Sequence, residues 1–222
     1  MTLRKFDIAA IIPALNEAAT IATVVKSVAI YATPIVIDDG STDATAAIAR
    51  SQGAVVISHE QNQGYEFALS TGFKTAINLD FRYVITLDAD GQHNPEIISL
   101  FYSKLKAGAD VVVGIRNHMQ RAGENVFSTV ANYLWGLRDP LCGMKAYTVE
   151  SLLTFDTSQN FDSIGTKYAI DAVRRGNKLE QVNIIIKPRF DAPRFGIGWV
   201  ANKKIFLALY KTLKVSFINN FK

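Results

Sequence analysis

Apolar residues fall into two alternating kinds of run along the first half of the chain. Short β-branched runs at residues 8–12, 35–37, 54–57, 83–87 and 111–113 are apolar almost throughout, the pattern of strands covered on both faces. Between them, residues 17–31, 42–52, 65–78 and 95–107 are Ala-rich or carry apolar side chains three and four apart, the spacing of one helix face. Four β-α units followed by a fifth strand predict an open α/β structure. Its sheet is mostly parallel, because parallel neighbours need crossovers, and helical crossovers cover both faces.

Beyond Gly114 the rhythm changes. A polar loop at 116–123 leads into a predicted helix at 124–137, a turn at 139–143 and a short strand at 144–147. A helix at 164–175 and a strand at 182–186 follow, and then a segment, 187–198, whose two Pro and two Gly predict a loop. Residues 200–219 alternate Lys with Ile, Phe, Leu and Tyr, as an amphipathic helix does. No repeat or linker separates the halves, so the expected division is one α/β domain over 1–199 and a basic amphipathic helix over 200–222. That helix either packs on the domain or faces a membrane.

With 222 residues, 49% hydrophobic and 20% charged, the chain has an ordinary globular composition. Cys142 is the only cysteine, which excludes an intrachain disulfide and a cysteine zinc site. A reducing, cytoplasmic setting is the expectation. Residues 1–8 do not read as a secretory signal, and no run reaches the ~18 uncharged apolar residues of a spanning helix. Contact with a membrane is therefore expected at the cytoplasmic face, peripherally or through a membrane partner subunit. The net charge of +4 hides an asymmetry: residues 1–172 carry 13 Lys/Arg against 18 Asp/Glu, residues 173–222 carry 11 against 2. Such a basic block attracts phosphates. Its aromatic residues fall at helical spacing, so a nucleic-acid partner is not expected.

In open α/β sheets ligands sit beyond the carboxyl ends of the strands. The first strand runs into Pro13-Ala-Leu-Asn-Glu17, the second into Asp38-Asp-Gly-Ser-Thr-Asp43, the fourth into Asp88-Ala-Asp-Gly-Gln-His93. Asp88 and Asp90 leave a strand end together, with Gln92 as a third oxygen, a donor set for a hard divalent ion such as Mg2+ or Mn2+. An ordinary turn with solvated acids has the same composition. Ser41 or Thr42 can cap the second helix and Asn16 the first. Asp38 or Asp39 can accept from a base or a ribose.

The order of these pieces, with Asn62-Gln-Gly64 between the second and third, resembles the family 2 glycosyltransferases of GT-A fold. The dolichyl-phosphate mannose synthase and polyprenyl-phosphate glycosyltransferase branch is the nearest in kind. Residues 87–96 look like that branch's "DADxQHxPE", Val113-Gly-Ile-Arg116 like its "GSR", and residues 139–147 like its "D-x-x-S-G-F-R-x-Y". The resemblance implies a GDP- or UDP-sugar donor. Pro13, Leu15, Glu17, Ile37 and Asp39 would hold the nucleoside, Asp88 and Ala89 the nucleotide and sugar, and Asp90 with Gln92 the metal. Arg116 would face the sugar or phosphate, Arg189 and Arg194 would grip the diphosphate, and Arg121 and Ser128 the acceptor's phosphate.

Two departures stand out. Tyr65-Glu66-Phe67 replaces small residues, and Glu124 and Asn125 occupy a stretch where the related synthases carry Arg. A sugar-hydroxyl acceptor calls for a base, for which Asp139 and Asp162 are candidates, whereas a lipid phosphate is already ionised. The expected reaction is thus metal-dependent, inverting transfer of one sugar to a polyprenyl phosphate. Transfer to a sugar hydroxyl and a non-catalytic nucleotide-sugar-binding subunit are the alternatives. His59, His93 and His118 are given no catalytic role, His93 being read as a hydrogen-bond donor beside the metal loop.

Overall fold

A computed structural model describes residues 6–117, 121–154, 164–187 and 199–218. The elements follow the predicted alternation: β1 (Ile8–Ala14), α1 (Ile21–Val28), β2 (Thr33–Asp38), α2 (Thr45–Ser51), β3 (Val55–Ser58), α3 (Tyr65–Asn78), β4 (Tyr83–Thr86), α4 (Ile97–Lys106) and β5 (Val111–Arg116). The second half adds α5 (Ala122–Trp135), β6 (Lys145–Thr148), α6 (Val149–Leu153), α7 (Ile164–Arg174), β7 (Leu179–Ile184) and α8 (Trp199–Ile218). The seven strands form one sheet in the order β3-β2-β1-β4-β6-β5-β7. Every pairing is parallel except those of β6, which runs antiparallel between β4 and β5.

The layers follow from side-chain alternation on strands that are buried on both faces. Ile8, Ala10 and Ile12 of β1 point into one apolar layer with Val25 of α1 and Phe101 of α4. Ala9 and Ile11 point into the other, with Phe73 of α3, Phe127 of α5, Ala169 of α7, and Ile205 and Leu209 of α8. Each fully buried Ile, Val or Phe among them contributes roughly 1.5–3 kcal/mol. An exposed ion pair such as Lys104–Glu180 contributes about 1 kcal/mol at most, so the two layers hold the fold.

The antiparallel β6 agrees with a mostly parallel sheet, although a four-residue strand after a tight turn carries no signal of its own direction. The short helix α6, capped by the Thr148 hydroxyl accepting from the Ser151 amide at 3.1 Å, adds to the expected elements. The first two helices begin at Ile21 and Thr45 rather than at 17 and 42, because the residues ahead of them are bonded across the sheet edge, as described below. Most of the 187–198 loop lies outside the described residues.

Helix α3 crosses β1 closely enough that a Cβ at Gly72 would lie 2.3 Å from Ile11 Cγ2. Gly72→Ala is therefore expected to destabilise the protein by about 1–3 kcal/mol in denaturant unfolding. Combining it with Ile11→Ala, which vacates that space, should cost less than the sum of the two single changes.

Candidate active site

Because β1 pairs with both β2 and β4, the loops that follow these three strands emerge at one edge. Ala14 lies opposite Asp38 and Ile11 opposite Thr86. The edge is stitched by side chains accepting backbone amides. Asn16 adopts φ 51°, a conformation Asn tolerates, and its Oδ1 accepts from the Thr42 amide at 2.8 Å while its own amide donates to Ser41 Oγ at 2.9 Å. It thus ties the first loop to the second instead of capping α1. Neither Ser41 nor Thr42 caps α2: Asp43 Oδ1 accepts from the Thr45 amide at 2.9 Å, and Asp43 Oδ2 from the Ala18 amide at 3.1 Å. Glu17 is buried, its amide donating to Thr45 Oγ1 at 2.8 Å and its carboxylate accepting from Thr20 Oγ1 at 2.9 Å.

Asp39 is buried and its carboxylate accepts from the amides of Gln63 (2.9 Å) and Gly64 (2.8 Å). The ring of His59 completes the set, with Nδ1 2.7 Å from Asp39 Oδ1 and Nε2 3.0 Å from Thr71 Oγ1. Asp39 is thereby the anchor of the loop between β3 and α3. Asp38 accepts from the Ser41 amide at 3.3 Å. Pro13 and Ile37 pair across β1 and β2, and the Ile37 side chain is fully buried in the α3-side core, so it presents no apolar surface to a nucleoside. Leu15 is half-buried at the edge.

At the end of β4 Asp88 is clamped from two sides. Tyr65, 42% exposed as a residue, turns its hydroxyl inward to donate to Asp88 Oδ1 at 3.1 Å. Withdrawal of that hydroxyl from water, with the Asp88 charge beside it, holds its pKa well above the tyrosine range, so it remains a donor. On the other side a Cβ at Gly143 would lie 2.8 Å from Asp88 Oδ2. Ala89 is buried. Asp90 Oδ1 accepts from the Gln92 amide at 3.0 Å. The Gln92 side-chain nitrogen donates to the Lys187 carbonyl at 2.7 Å, and the Lys187 amide donates back to the Gln92 carbonyl at 3.0 Å. Gln92 therefore fastens the aspartate loop to the segment leading to Arg189 and Arg194, which lie outside the described residues, as do Asp162 and His118. His93 is buried, and its Nδ1 accepts, at 3.5 Å, from the Asp88 amide instead of donating.

Among the described residues no three His, Cys, Asp or Glu side chains form a metal cage. Two carboxylates and an amide oxygen suit a hard divalent ion whose remaining ligands come from water and phosphate.

The second-half residues form a charge network. Arg116 grips Asp139 through Nε (2.8 Å) and Nη2 (2.9 Å), and its amide also donates to Asp139 at 3.1 Å. Arg116 Nη1 lies 3.4 Å from Glu124, whose other oxygen accepts from Arg121 Nη1 at 2.7 Å. Burial opposes the charge on Arg116, but the Asp139 and Glu124 carboxylates outweigh it and raise its pKa further. Ser128 is buried and donates to the Arg138 carbonyl. Lys145, absent from the expected site, is also buried and donates to the Cys142 carbonyl. Burial depresses its pKa, against the pull of Cys142, Asp139 and Glu66. Burial pushes the Cys142 thiol up to about 12, so it stays protonated. Of the residues not anticipated, Lys145 and Gly143 lay within a quoted motif, and Tyr65 was visible as a departure from small residues. His59 left no local signal.

A family model described as "Glycosyl transferase family 2" matches residues 9–152. The chain belongs to glycosyl transferase family 2. It is 30% identical over 196 residues to the dolichyl-phosphate hexose transferase of Haloferax volcanii, covering 82% of this chain and 84% of that one. To the polyprenol monophosphomannose synthase of Mycolicibacterium smegmatis it is 29% identical, covering 90% and 83%. Glucosyl-3-phosphoglycerate synthase from Mycobacterium tuberculosis superposes with a TM-score of 0.75 at 25% identity, over 92% of this chain and 79% of that one. The same enzyme crystallised with Mn2+, UDP and phosphoglyceric acid gives 0.75 at 23% identity, over 92% and 78%. This glycosyltransferase thus has the GT-A fold, with the ends of β1, β2 and β4 meeting at one edge.

Because Gly143 abuts Asp88, Gly143→Ala is expected to push that carboxylate aside without disturbing the core. Circular dichroism should be unchanged while kcat/KM for sugar transfer falls by about tenfold or more.

Proposed function

We propose that this family 2 glycosyltransferase moves one sugar from a GDP- or UDP-linked donor to a polyprenyl phosphate, with inversion. The observation that carries the choice of acceptor is the state of Asp139. It is the one candidate base among the described residues, and it is held by three hydrogen bonds from Arg116. A sugar hydroxyl needs a carboxylate able to take its proton. A phosphomonoester, with a second pKa near 6, needs none at neutral pH. The relatives named for dolichyl and polyprenol phosphates support the same acceptor class.

In the reaction an acceptor phosphate oxygen attacks the anomeric carbon on the face opposite the diphosphate. The carbon–oxygen bond to the donor's diphosphate breaks, and its electron pair leaves with the nucleoside diphosphate. One displacement inverts the centre and moves no proton. Asp39, through the loop it anchors, together with Pro13, Leu15 and Glu17, shapes the nucleoside end; Tyr65 and Gly143 fix Asp88. Mg2+ or Mn2+, held by Asp88 and Asp90 with Gln92 as the third oxygen, would supply Lewis-acid stabilisation of the leaving diphosphate. The neighbour crystallised with Mn2+ and UDP supports that assignment. Arg189 and Arg194 are proposed to add positive charge at the diphosphate.

No helix among the described residues is long and apolar enough to cross a membrane. Helix α8 packs on the domain through Ile205 and Leu209 and exposes Phe206, Leu207 and Tyr210 beside exposed Lys203, Lys211 and Lys214. Aromatic and apolar side chains flanked by lysines suit the interface of an anionic bilayer, and we assign this face to the membrane that holds the acceptor.

Two measurements test the reading. In a screen of nucleotide sugars with and without a short prenyl phosphate, sugar transfer should require both, and Asp90→Ala should lower it by about a hundredfold or more with the fold retained. Unchanged turnover would sink the metal assignment, and donor binding with no turnover would favour a binding subunit. In sedimentation with vesicles, the protein should pellet with anionic but not zwitterionic lipid, and Phe206→Glu or 1 M salt should release it.

A further inference from the structure

Four charged groups follow one another at the end of β5 and the start of α5: Asp139, Arg116, Glu124 and Arg121. The planar fork of Arg116 is matched by Asp139, with bonds of 2.8 and 2.9 Å. Glu124 is placed differently. Its two oxygens are divided between two guanidinium groups, one 2.7 Å from Arg121 and the other 3.4 Å from Arg116. The Glu124 side chain is 4% exposed, whereas each arginine keeps 17% of its side chain at the surface. A single oxyanion shared by two guanidinium groups is the arrangement in which proteins hold a phosphate. Here the chain supplies the oxyanion itself.

We propose that Glu124 is an internal counterion occupying an oxyanion position between Arg116 and Arg121, and that a phosphomonoester binds there by displacing it. On the reading above, that phosphomonoester is the acceptor. Formal charges explain why displacement is needed. With both carboxylates in place the four groups sum to zero, and an arriving phosphate dianion meets two negative neighbours. With Glu124 withdrawn the three remaining groups carry one net positive charge. Asp139 is the wrong member to move, since three hydrogen bonds tie it to Arg116. Glu124 approaches Arg116 at the longer distance of 3.4 Å and has the longer, more flexible side chain.

Two consequences follow for selectivity. Binding strength is reduced by the fraction of time Glu124 holds the position, so the resident carboxylate sets the affinity for the incoming phosphate. A competitor must also bind better than a carboxylate. A dianionic phosphomonoester does, through its second charge and third oxygen, whereas a phosphodiester or a carboxylic acid brings only one charge.

The test removes the charge and keeps the shape. In calorimetry without donor, Glu124→Gln should bind inorganic phosphate and a short prenyl phosphate about five- to tenfold more tightly than the wild type, the scale of one unit charge at a partly buried site. The KM for the prenyl phosphate should fall in parallel while the KM for the nucleotide sugar stays put, a split that loss of structural support does not produce. Glu124→Asp, which withdraws the carboxylate from Arg116 by one methylene, should show a smaller tightening, and it decides the matter if the Gln variant does not fold. Equal or weaker phosphate binding in a folded variant overturns the proposal, since Glu124 would then be holding the arginines in place. Tighter phosphate binding with no transfer to prenyl phosphate by either protein would uphold the displaced counterion and remove the lipid-phosphate acceptor. Transfer by both with unchanged binding would do the reverse.

Discussion

The site exists because β1 is paired in parallel with β2 on one side and β4 on the other. Parallel neighbours end at the same edge of the sheet, so three loops far apart in sequence become adjacent only through this registration. The pairing is strongly specified, since all seven residues of β1 are buried. A slip of one residue would exchange Ile8, Ala10 and Ile12 with Ala9 and Ile11 between two differently shaped apolar layers. The cost of that misfit is what holds Asp38, Asp88 and Glu17 in a common neighbourhood. The polar chemistry is positioned by apolar packing beneath it.

Carboxylates gathered at one edge repel each other, and the fold answers the repulsion in different ways at different positions. Asp39 and Asp43 accept backbone amides, bonds that belong to the fold and persist when ligands come and go. Asp139 is matched by a guanidinium fork. Asp88 is capped by the phenol of Tyr65, a neutral donor on a partly exposed ring. The amides of distant loops hold Asp39 and Asp43 in the fold, arginines set the charge beside β5, and Asp88 is held by a single phenol hydroxyl.

The strand and helix alternation of residues 8–113 was legible because near-continuous apolar strands and three-and-four spacing are strong periodic signals. Helix α3 was readable to the residue, with Gly64 ahead of it and its apolar face unbroken. The starts of α1 and α2 were misplaced for a common reason: Asn16, Ser41, Thr42 and Asp43 are good capping residues, and local chemistry cannot reveal that their partners lie 25 or more residues away. The aspartates at the ends of β2 and β4 were visible as polar residues directly after apolar runs. What those aspartates touch was not, since Tyr65, His59 and Gly143 reach them only through the fold. The same holds for Arg116, whose expected role at a sugar or phosphate left its two carboxylate partners, Asp139 and Glu124, unforeseen.

The antiparallel strand β6 gives these separate observations a common cause. By lying between β4 and β5, with Lys145 opposite both Thr86 and Val113, it carries the preceding turn across the sheet edge. That turn sets Gly143 against Asp88 at one end and Asp139 against Arg116 at the other. Buried ion pairs of this kind are close to neutral for stability, because desolvation offsets their attraction, and a buried Lys145 with its pKa depressed is a direct cost. A chain selected for stability alone would fill such a strand and turn with apolar residues. Retaining charges there makes sense if the turn between Asp139 and Gly143 is the rigid link between the donor end and the acceptor end, so that the distance between the two reacting partners is set by five residues of backbone instead of by two independent loops.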